Sequence, residues 1–311
     1  MQAMIEVRGL TKTYKETDAV KGISFDVEEG EIFGFLGPNG AGKSTTINMI
    51  CTMLKPTSGN ILINGYDVSK EKNRVRESIG LIFQQNTLDT KLTANENLKF
   101  HCRFYNVPKN VREERIQEVL EIVDLTESRY SKVETFSGGM QRRLEIARGL
   151  LHYPRVLFLD EPTVGLDPQT RAHLWEYILK LKKEQGITMF LTTHYLDEAE
   201  ISDRVAIMDK GKIIAVDPPS KLKDQLGGDI IELSTNDNNQ ALKEIHENVQ
   251  DAEVTVHEGT IHIKVASSDA FISSFLKSLS IPVTKLNIRK PTLNDVFMAF
   301  TGRNIGEAGD I

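Results

Sequence analysis

A glycine-rich segment near the N-terminus has the spacing of a phosphate-binding loop. It reads Gly37, Pro38, Asn39, Gly40, Ala41, Gly42, Lys43, Ser44, Thr45, and it lies between the apolar run 31–36 and a segment with helical periodicity, 43–54. Glycines let successive backbone N–H groups turn toward phosphate oxygens, and the helix that follows adds a favourable dipole. Lys43 would place a positive charge at the β and γ phosphates, and Ser44 would be a ligand of Mg²⁺. A chance glycine turn is the alternative, and the strand and helix on either side disfavour it.

Two adjacent carboxylates, Asp160 and Glu161, follow the continuous apolar run 156–159. Such a run is typical of a parallel strand buried on both faces, and the end of a buried strand normally avoids paired charges. Asp160 would hold Mg²⁺, and Glu161 would orient and polarise the water that attacks a γ-phosphate. A solvated pair in a loop is the alternative, which the upstream phosphate loop makes the weaker one.

A second glycine-rich helix start lies between these two motifs. Ser137, Gly138 and Gly139 precede a segment with helical periodicity, so a second N–H cluster faces an anion. In this position the segment resembles the signature of ATP-binding cassette (ABC) proteins. Phe136 and Met140 replace the commoner leucine and glutamine. The lost amide removes one contact near the nucleotide, while Ser137 and the glycine N–H groups still provide phosphate binding.

The resemblance spans residues 4–216 and implies a fold and further site residues. The fold is α/β, a P-loop NTPase cassette with a RecA-like core, an antiparallel β subdomain and a helical insert at about 87–153. The implied additional residues are Tyr14, which stacks on adenine; Gln84, which contacts Mg²⁺ and senses a permease, with Gln85 as its alternative; Asp167, in the loop Gly165–Asp167 that links two sites; and His194, which contacts the γ-phosphate. Each of these residues alone could be structural.

The predicted site therefore has three groups of residues. The catalytic group is Lys43, Gln84, Glu161 and His194, and the Mg²⁺ ligands are Ser44, Gln84 and Asp160. Nucleotide contacts come from Tyr14, Gly37–Thr45, Ser137, Gly138, Gly139 and Asp167. The cofactors implied are ATP and Mg²⁺.

The C-terminal part has its own pattern. The predicted boundaries are a cassette over residues 1–220, a linker over 221–228, an accessory domain over 229–303 and a flexible tail over 304–311. Residues 230–234, 241–249, 253–257, 261–265, 270–279 and 283–288 read as strand, helix, strand, strand, helix, strand, which predicts a small ferredoxin-like α+β domain. Residues 291–303 resemble the ending of the daunorubicin-resistance export branch. An amphipathic helix that packs on the tail's own sheet is the alternative reading.

Composition limits the partners. The chain has 38 Lys and Arg against 44 Asp and Glu, a net charge of −6, without a basic stripe, so nucleic acid is disfavoured. Cys51 and Cys102 are far apart and suggest neither a disulfide framework nor a zinc site. Without a signal sequence or 18 successive apolar residues, the chain is expected at the cytoplasmic face of the membrane, bound to a separate permease.

The functional expectation is an ATP-hydrolysing subunit that works as a homodimer and drives a permease, with export favoured over import. Each ATP would lie between the phosphate loop of one copy and the signature of the other. A soluble ABC ATPase in translation or DNA repair is the main alternative, although such proteins generally carry paired cassettes or a long coiled coil. A non-hydrolysing module would be expected to lack Glu161 or Lys43.

Overall fold

The computed structural model describes residues 3–83, 87–248, 253–257, 260–265, 268, 272, 275, 280–302 and 304–305. These residues form two compact units: the first comprises the described residues up to Pro218 together with Ile305, and the second comprises those from Pro219 to Asn304. The first unit contains β1 (Ala3–Tyr14), β2 (Thr17–Glu28), β3 (Ile32–Leu36), α1 (Lys43–Ile50), β4 (Ser58–Ile63), β5 (Tyr66–Asp67), α2 (Lys72–Ser78), β6 (Ile79–Ile82), α3 (Ala94–Phe104), α4 (Arg112–Ile122), a 3₁₀ turn (Val133–Thr135), α5 (Gly138–Leu150), β7 (Val156–Asp160), α6 (Pro168–Gln185), β8 (Thr188–Thr193), α7 (Leu196–Glu200), β9 (Arg204–Asp209) and β10 (Lys212–Asp217).

A six-stranded sheet organises the first unit. Its order is β10-β9-β3-β8-β7-β6, and the strands from β9 to β6 are parallel, while β10 is antiparallel at the edge. Strands β3 and β8 are buried throughout, as the continuous apolar runs predict. Because parallel strands end at the same edge, the loops after Leu36, Asp160 and Thr193 meet there.

An antiparallel sheet, in the order β2-β1-β4-β5, packs against this parallel sheet. Phe25 of β2 stacks on Phe33 of β3 with ring centroids 5.4 Å apart, and Phe35, Phe158 and Phe190 complete the aromatic cluster. Each aromatic pair contributes about 0.5–1.5 kcal/mol beyond its buried area. The cluster therefore fixes the strand that leads into the phosphate loop.

The helical part, predicted over 87–153, contains α3, α4 and α5. Helix α3 starts with a capping box, in which Thr93 and Glu96 satisfy each other's backbone N–H groups. These helices share a second hydrophobic core with α6 and with the parallel sheet. The signature helix α5 is thus packed on the same sheet that carries the phosphate loop.

The second unit contains α8 (Pro219–Leu226), β11 (Asp229–Thr235), α9 (Asn238–Asn248), β12 (Glu253–His257), β13 (Thr260–Val265), β14 (Val283–Arg289) and α10 (Leu293–Thr301). Its sheet has the antiparallel order β12-β13-β11-β14. The strands and the first helix follow the order that the sequence predicts. The second predicted helix, 270–279, lies largely outside the described residues, as does the predicted tail 304–311 beyond residue 305.

Two features of this unit differ from the sequence-based expectation. Helix α8 covers most of the segment expected as a linker, because Pro219 suits the first turn of a helix and Leu222 is fully buried. Helix α10 packs against α8, a contact that the sequence pattern does not predict. Among the described residues, none of the helices has the length and apolarity that a bilayer crossing requires.

Candidate functional site

The phosphate loop joins β3 to α1 in a backbone that glycines make possible. Gly40 and Gly42 have φ of 77° and 107°, which side chains rarely tolerate, and a Cβ at Gly37 would lie 2.3 Å from the carbonyl oxygen of Met208. Lys43 is buried at the start of α1, and its Nζ donates to the carbonyl oxygens of Gly37 at 2.7 Å and Pro38 at 3.1 Å. Ser44 follows with an exposed side chain. The loop therefore wraps around the ammonium group of Lys43 at a helix N-terminus.

The carboxylates Asp160 and Glu161 lie at the end of β7, beside this cation. Glu161 is buried, its Oε1 is 3.7 Å from Lys43 Nζ, and the same oxygen is 3.3 Å from His194 Nδ1. His194 follows β8, the neighbouring strand. The predicted catalytic residues Lys43, Glu161 and His194 are thus in contact although they are far apart in sequence.

Thr192, which the sequence analysis does not single out, holds both carboxylate residues. Its hydroxyl donates to Asp160 Oδ1 at 2.5 Å and accepts from the Glu161 N–H at 3.1 Å. Thr192 is fully buried, and it pairs with Asp160 in the register between β7 and β8. It appeared in the sequence only as part of an apolar strand, so only the pairing of the strands could have identified it.

Burial controls the electrostatics of this group. It lowers the pKa of Lys43, and Glu161 and Asp160 oppose that effect by stabilising the ammonium. Burial also raises the pKa of Asp160, and Glu161 raises it further, whereas Thr192 and Lys43 lower it. The site therefore concentrates two acidic groups against one buried cation.

This donor set fits a magnesium ion. Carboxylate and hydroxyl oxygens are the hard ligands that Mg²⁺ prefers, and Asp160 and Ser44 offer both kinds at the end of β7 and the start of α1. A divalent cation would also offset the charge of Glu161, which adds to burial in raising the pKa of Asp160. Gln84, the third predicted ligand, and its alternative Gln85 lie outside the described residues.

The signature forms a separate helix start. Ser137 is the N-cap of α5, and its Oγ accepts from the N–H of Met140 at 3.2 Å. Ser137 and Gly138 are exposed, whereas Phe136 is buried in the helical core and Met140 packs against it. The two departures from the commoner signature therefore supply apolar packing, and the amide of Gln141 contacts the carbonyl oxygens of Val133 and Phe136.

The remaining predicted residues lie at two other places. Tyr14 ends β1 with 46% of its side chain exposed, and Lys12 Nζ is 5.1 Å from its ring centroid. Asp167 is the N-cap of α6, where its carboxylate accepts from Thr170, which lowers the pKa of Asp167. Gly138 faces the same loop, since a Cβ there would be 3.4 Å from Leu166 Cδ2. The signature and the loop 165–167 are therefore neighbours within one chain.

Comparison with known proteins identifies relatives along the whole chain. The family model described as ABC transporter matches residues 20–164, and the one described as ATP-binding protein DrrA1-3-like, C-terminal domain, matches residues 218–301. The linearmycin resistance ATP-binding protein LnrL of Bacillus subtilis is 41% identical over 97% of this chain and 99% of its own length. The daunorubicin/doxorubicin resistance ATP-binding protein DrrA of Streptomyces peucetius is 36% identical over 96% and 92%.

Solved structures show the same fold. A dimeric ATP-binding cassette, MJ0796, in a post-hydrolysis state with ADP and phosphate, is 31% identical and covers 69% of this chain and 98% of its own, with a TM-score of 0.62. The cbiO1 protein of Clostridium perfringens, part of an ABC transporter complex, is 28% identical over 80% and 96%, with a TM-score of 0.68. The predicted fold class, a P-loop cassette with an additional C-terminal domain, is confirmed.

Proposed function

The chain belongs to the ATP-binding subunits of ABC transporters, in the branch with a DrrA-like C-terminal domain, and we propose that the residues around Lys43 and Glu161 are its site of ATP hydrolysis. It is an ATPase subunit of an export-type transporter. The alternative, a soluble cassette in translation or DNA repair, is disfavoured because relatives that align over nearly the whole chain are drug-resistance proteins.

The contact between Lys43, Glu161 and His194 is the observation that supports this site. Lys43 would exchange the carbonyl oxygens of its own loop for β- and γ-phosphate oxygens, which carry more negative charge. Glu161 would orient the attacking water and take up its proton as the water oxygen bonds to the γ-phosphorus. The bond to the bridging oxygen breaks, and its electron pair leaves with ADP.

His194 and Thr192 would keep the acidic groups in place during this step. His194 contacts the Glu161 carboxylate, and Thr192 fixes the Asp160 carboxylate through one short hydrogen bond. Mg²⁺, held by Asp160 and Ser44, would neutralise charge on the phosphates when it is bound. Tyr14 would stack on adenine, and Gln84 would report the permease; both roles rest on the family resemblance.

The partners follow from the second helix start. Ser137 and Gly138 are exposed, so this helix start is accessible to a nucleotide held by another copy. A homodimer with two composite sites, docked on separate permease subunits at the cytoplasmic face, accounts for both motifs. Because the relatives are named for resistance to linearmycin and to daunorubicin, an antibiotic is the class of cargo that we infer.

A phosphate-release assay tests the site directly. The purified chain, with its permease where assembly requires it, should hydrolyse MgATP, and Lys43→Ala should lose the activity together with binding of a fluorescent ATP analogue. Exposed Lys70→Ala, on the loop before α2, is the matched control. If Lys43→Ala hydrolysed ATP as the unaltered chain does, this site would be misassigned.

A further inference from the structure

Three charged side chains on the signature helix α5 are buried beneath it. Arg142, Glu145 and Arg148 lie three residues apart and are only 7%, 1% and 5% exposed. Residues three apart lie on one side of a helix, so they form one continuous row, here called the α5 charged row. Burying three charges is costly unless each is paired and hydrogen-bonded, so their partners indicate what the row stabilises.

Arg142 contacts the backbone beside the catalytic carboxylates. Its Nε donates to the carbonyl oxygen of Pro162 at 2.7 Å, and one terminal nitrogen is 3.4 Å and 3.5 Å from the carbonyl oxygens of Asp160 and Glu161. The other terminal nitrogen donates to the carbonyl oxygen of Phe83, beyond the end of β6. One guanidinium thus ties α5 to the ends of two parallel strands.

Glu145 and Arg148 extend the same connection. Glu145 Oε2 accepts from Arg142 at 2.7 Å, and its Oε1 accepts from the N–H of Thr87 at 2.9 Å. Arg148 donates to the hydroxyl of Thr87 and, at 3.3 Å, to the carbonyl oxygen of Leu81. The charged row therefore holds described residues on both sides of 84–86 as well as the backbone after β7.

We propose that Arg142 is a positioning residue that fixes the catalytic carboxylate Glu161 relative to the signature helix of the same chain. Its planar fork spreads its donors over three nitrogens and so reaches Pro162, Phe83 and Glu145 at once, whereas an ammonium has all its donors on one nitrogen. The inference rests on the proposed function, in which Glu161 serves the ATP of its own chain and Ser137 serves the ATP of the partner. Arg142 then links the geometry of the two sites through one rigid helix.

The test compares Arg142→Gln with a matched buried arginine. Arg115 on α4 is also about 5% exposed, pairs with Glu118 three residues on, and donates to the carbonyl oxygens of Leu150 and Leu151 at the far end of α5. It has the same chemistry without contacts to the site. In Arg142→Gln, the negative charge of Glu145 still has a positive partner, because Arg148 interacts with Glu145 electrostatically.

For both variants in the full chain, with the permease where assembly requires it, we would measure kcat and KM for MgATP, affinity for a fluorescent ATP analogue, and Tm. Arg142→Gln should lower kcat by about 10²-fold, the size expected for a small misplacement of catalytic groups. Its affinity for the analogue should be unchanged. Arg115→Gln should lower Tm and leave kcat unaltered.

Arg142→Lys is a second variant in case Arg142→Gln does not fold. It keeps the positive charge and loses only the planar guanidinium group. It should show the same loss of kcat at unchanged affinity. Normal turnover in Arg142→Lys or folded Arg142→Gln, or an equal loss of kcat in Arg115→Gln, would overturn the positioning role. An unaltered chain that hydrolyses no ATP would instead refute the proposed function, so the two failures are distinguishable.

Discussion

Glu161 occupies an unusual backbone position for the residue that carries the chemistry. Its φ is 46°, in the left-handed region, which costs a residue other than glycine about 1–3 kcal/mol. The backbone N–H of Glu161 is held by both the carbonyl oxygen and the hydroxyl of Thr192, each at 3.1 Å. The neighbouring strand thus stabilises a turn that brings the Glu161 carboxylate to Lys43 and His194.

Glu161→Gln should bind MgATP and hydrolyse it slowly. The amide keeps the size of the side chain and cannot accept the proton of the attacking water, so a loss of about 10²- to 10⁴-fold in kcat is expected. Phosphate release and analogue binding measure the two properties, and dimers should accumulate with ATP in size-exclusion chromatography. Exposed Glu176→Gln on α6 is the control. Near-normal turnover in Glu161→Gln would show that another group activates the water.

Thr192→Val should reduce kcat by about 10- to 100-fold, because it removes a hydrogen bond to a charged carboxylate. The matched control is Thr188→Val on the same strand, where the hydroxyl accepts from the Gly30 N–H at 2.9 Å, away from the site. Both threonines are buried, so both variants should lower Tm. Equal kcat values for the two variants would mean that Thr192 does not position Asp160 and Glu161.

At the scale of residues, the sequence predicts those site residues that belong to a local motif. Lys43 lies in a recognisable loop, and Asp160 and Glu161 are conspicuous because charges end an apolar run. Thr192 and Arg142 have no such signal. A threonine is common in strands and an arginine is common in helices, and their roles depend on contacts with residues far away in the chain. Only the packing of strands and helices reveals them.

At the scale of elements, α3 carries a histidine that makes the helical part sensitive to acid. Burial, and then the charge of Arg148, lowers the pKa of His101 to about 4 from its ordinary 6.5. Between these pH values the unfolded chain binds more protons at this position than the folded chain. The stability contributed by neutral His101 is therefore present above pH 6.5 and is lost as the pH falls toward 4.

His101→Gln should consequently show a smaller fall in Tm between pH 6.5 and pH 4 than the unaltered chain. Thermal unfolding followed by circular dichroism measures this difference. His173→Gln, on the exposed side of α6, should follow the unaltered chain. Parallel curves for His101→Gln and His173→Gln would contradict a half-buried neutral imidazole in α3.

Helix α8 is an element that the sequence pattern does not predict. Its segment contains paired prolines and glycines, and only Leu222 and Leu226 are apolar, too few to define a period. The partner helix α10 begins at Leu293, far along the chain, where a capping box between Thr292 and Asp295 fixes its start. Burial of Leu222 is a tertiary effect, so the local sequence alone favours the interpretation of this segment as a linker.

At the scale of the whole molecule, the division at Pro218 predicts that the second unit can be removed without loss of nucleotide binding. A chain ending at Pro218 should bind a fluorescent ATP analogue with unchanged affinity. A chain ending at Gly227 keeps α8 and loses the helix α10 that packs against it, so it should aggregate more readily. If the first truncation stayed folded by circular dichroism and lost binding, the second unit would contribute to the nucleotide site.

The composite site can be tested by complementation between two inactive chains. Lys43→Ala damages the phosphate loop, and Gly138→Asp places a negative charge at the exposed start of α5, where a phosphate of the partner's nucleotide would lie. Gly138 is the suitable position because a Cβ there meets only Leu166 Cδ2, at 3.4 Å. A Cβ at Gly139 would instead lie 2.4 Å from Thr170 Cγ2, so that change would disturb the chain's own packing.

Each altered homodimer should be nearly inactive, because both of its sites contain one defect. In a mixed dimer, one site contains both defects, whereas the other joins the intact phosphate loop of the Gly138→Asp chain to the intact signature of the Lys43→Ala chain. Provided that one intact site suffices for hydrolysis, this mixed dimer should release phosphate. Joining the two variants in a single polypeptide makes every dimer a mixed one, so slow exchange of subunits cannot affect the result. A linked dimer with both defects in the same half leaves each site with one defect, so it should be inactive. If the second linked protein were active and the first inactive, the two motifs would act within one chain, and ATP would not lie between two copies.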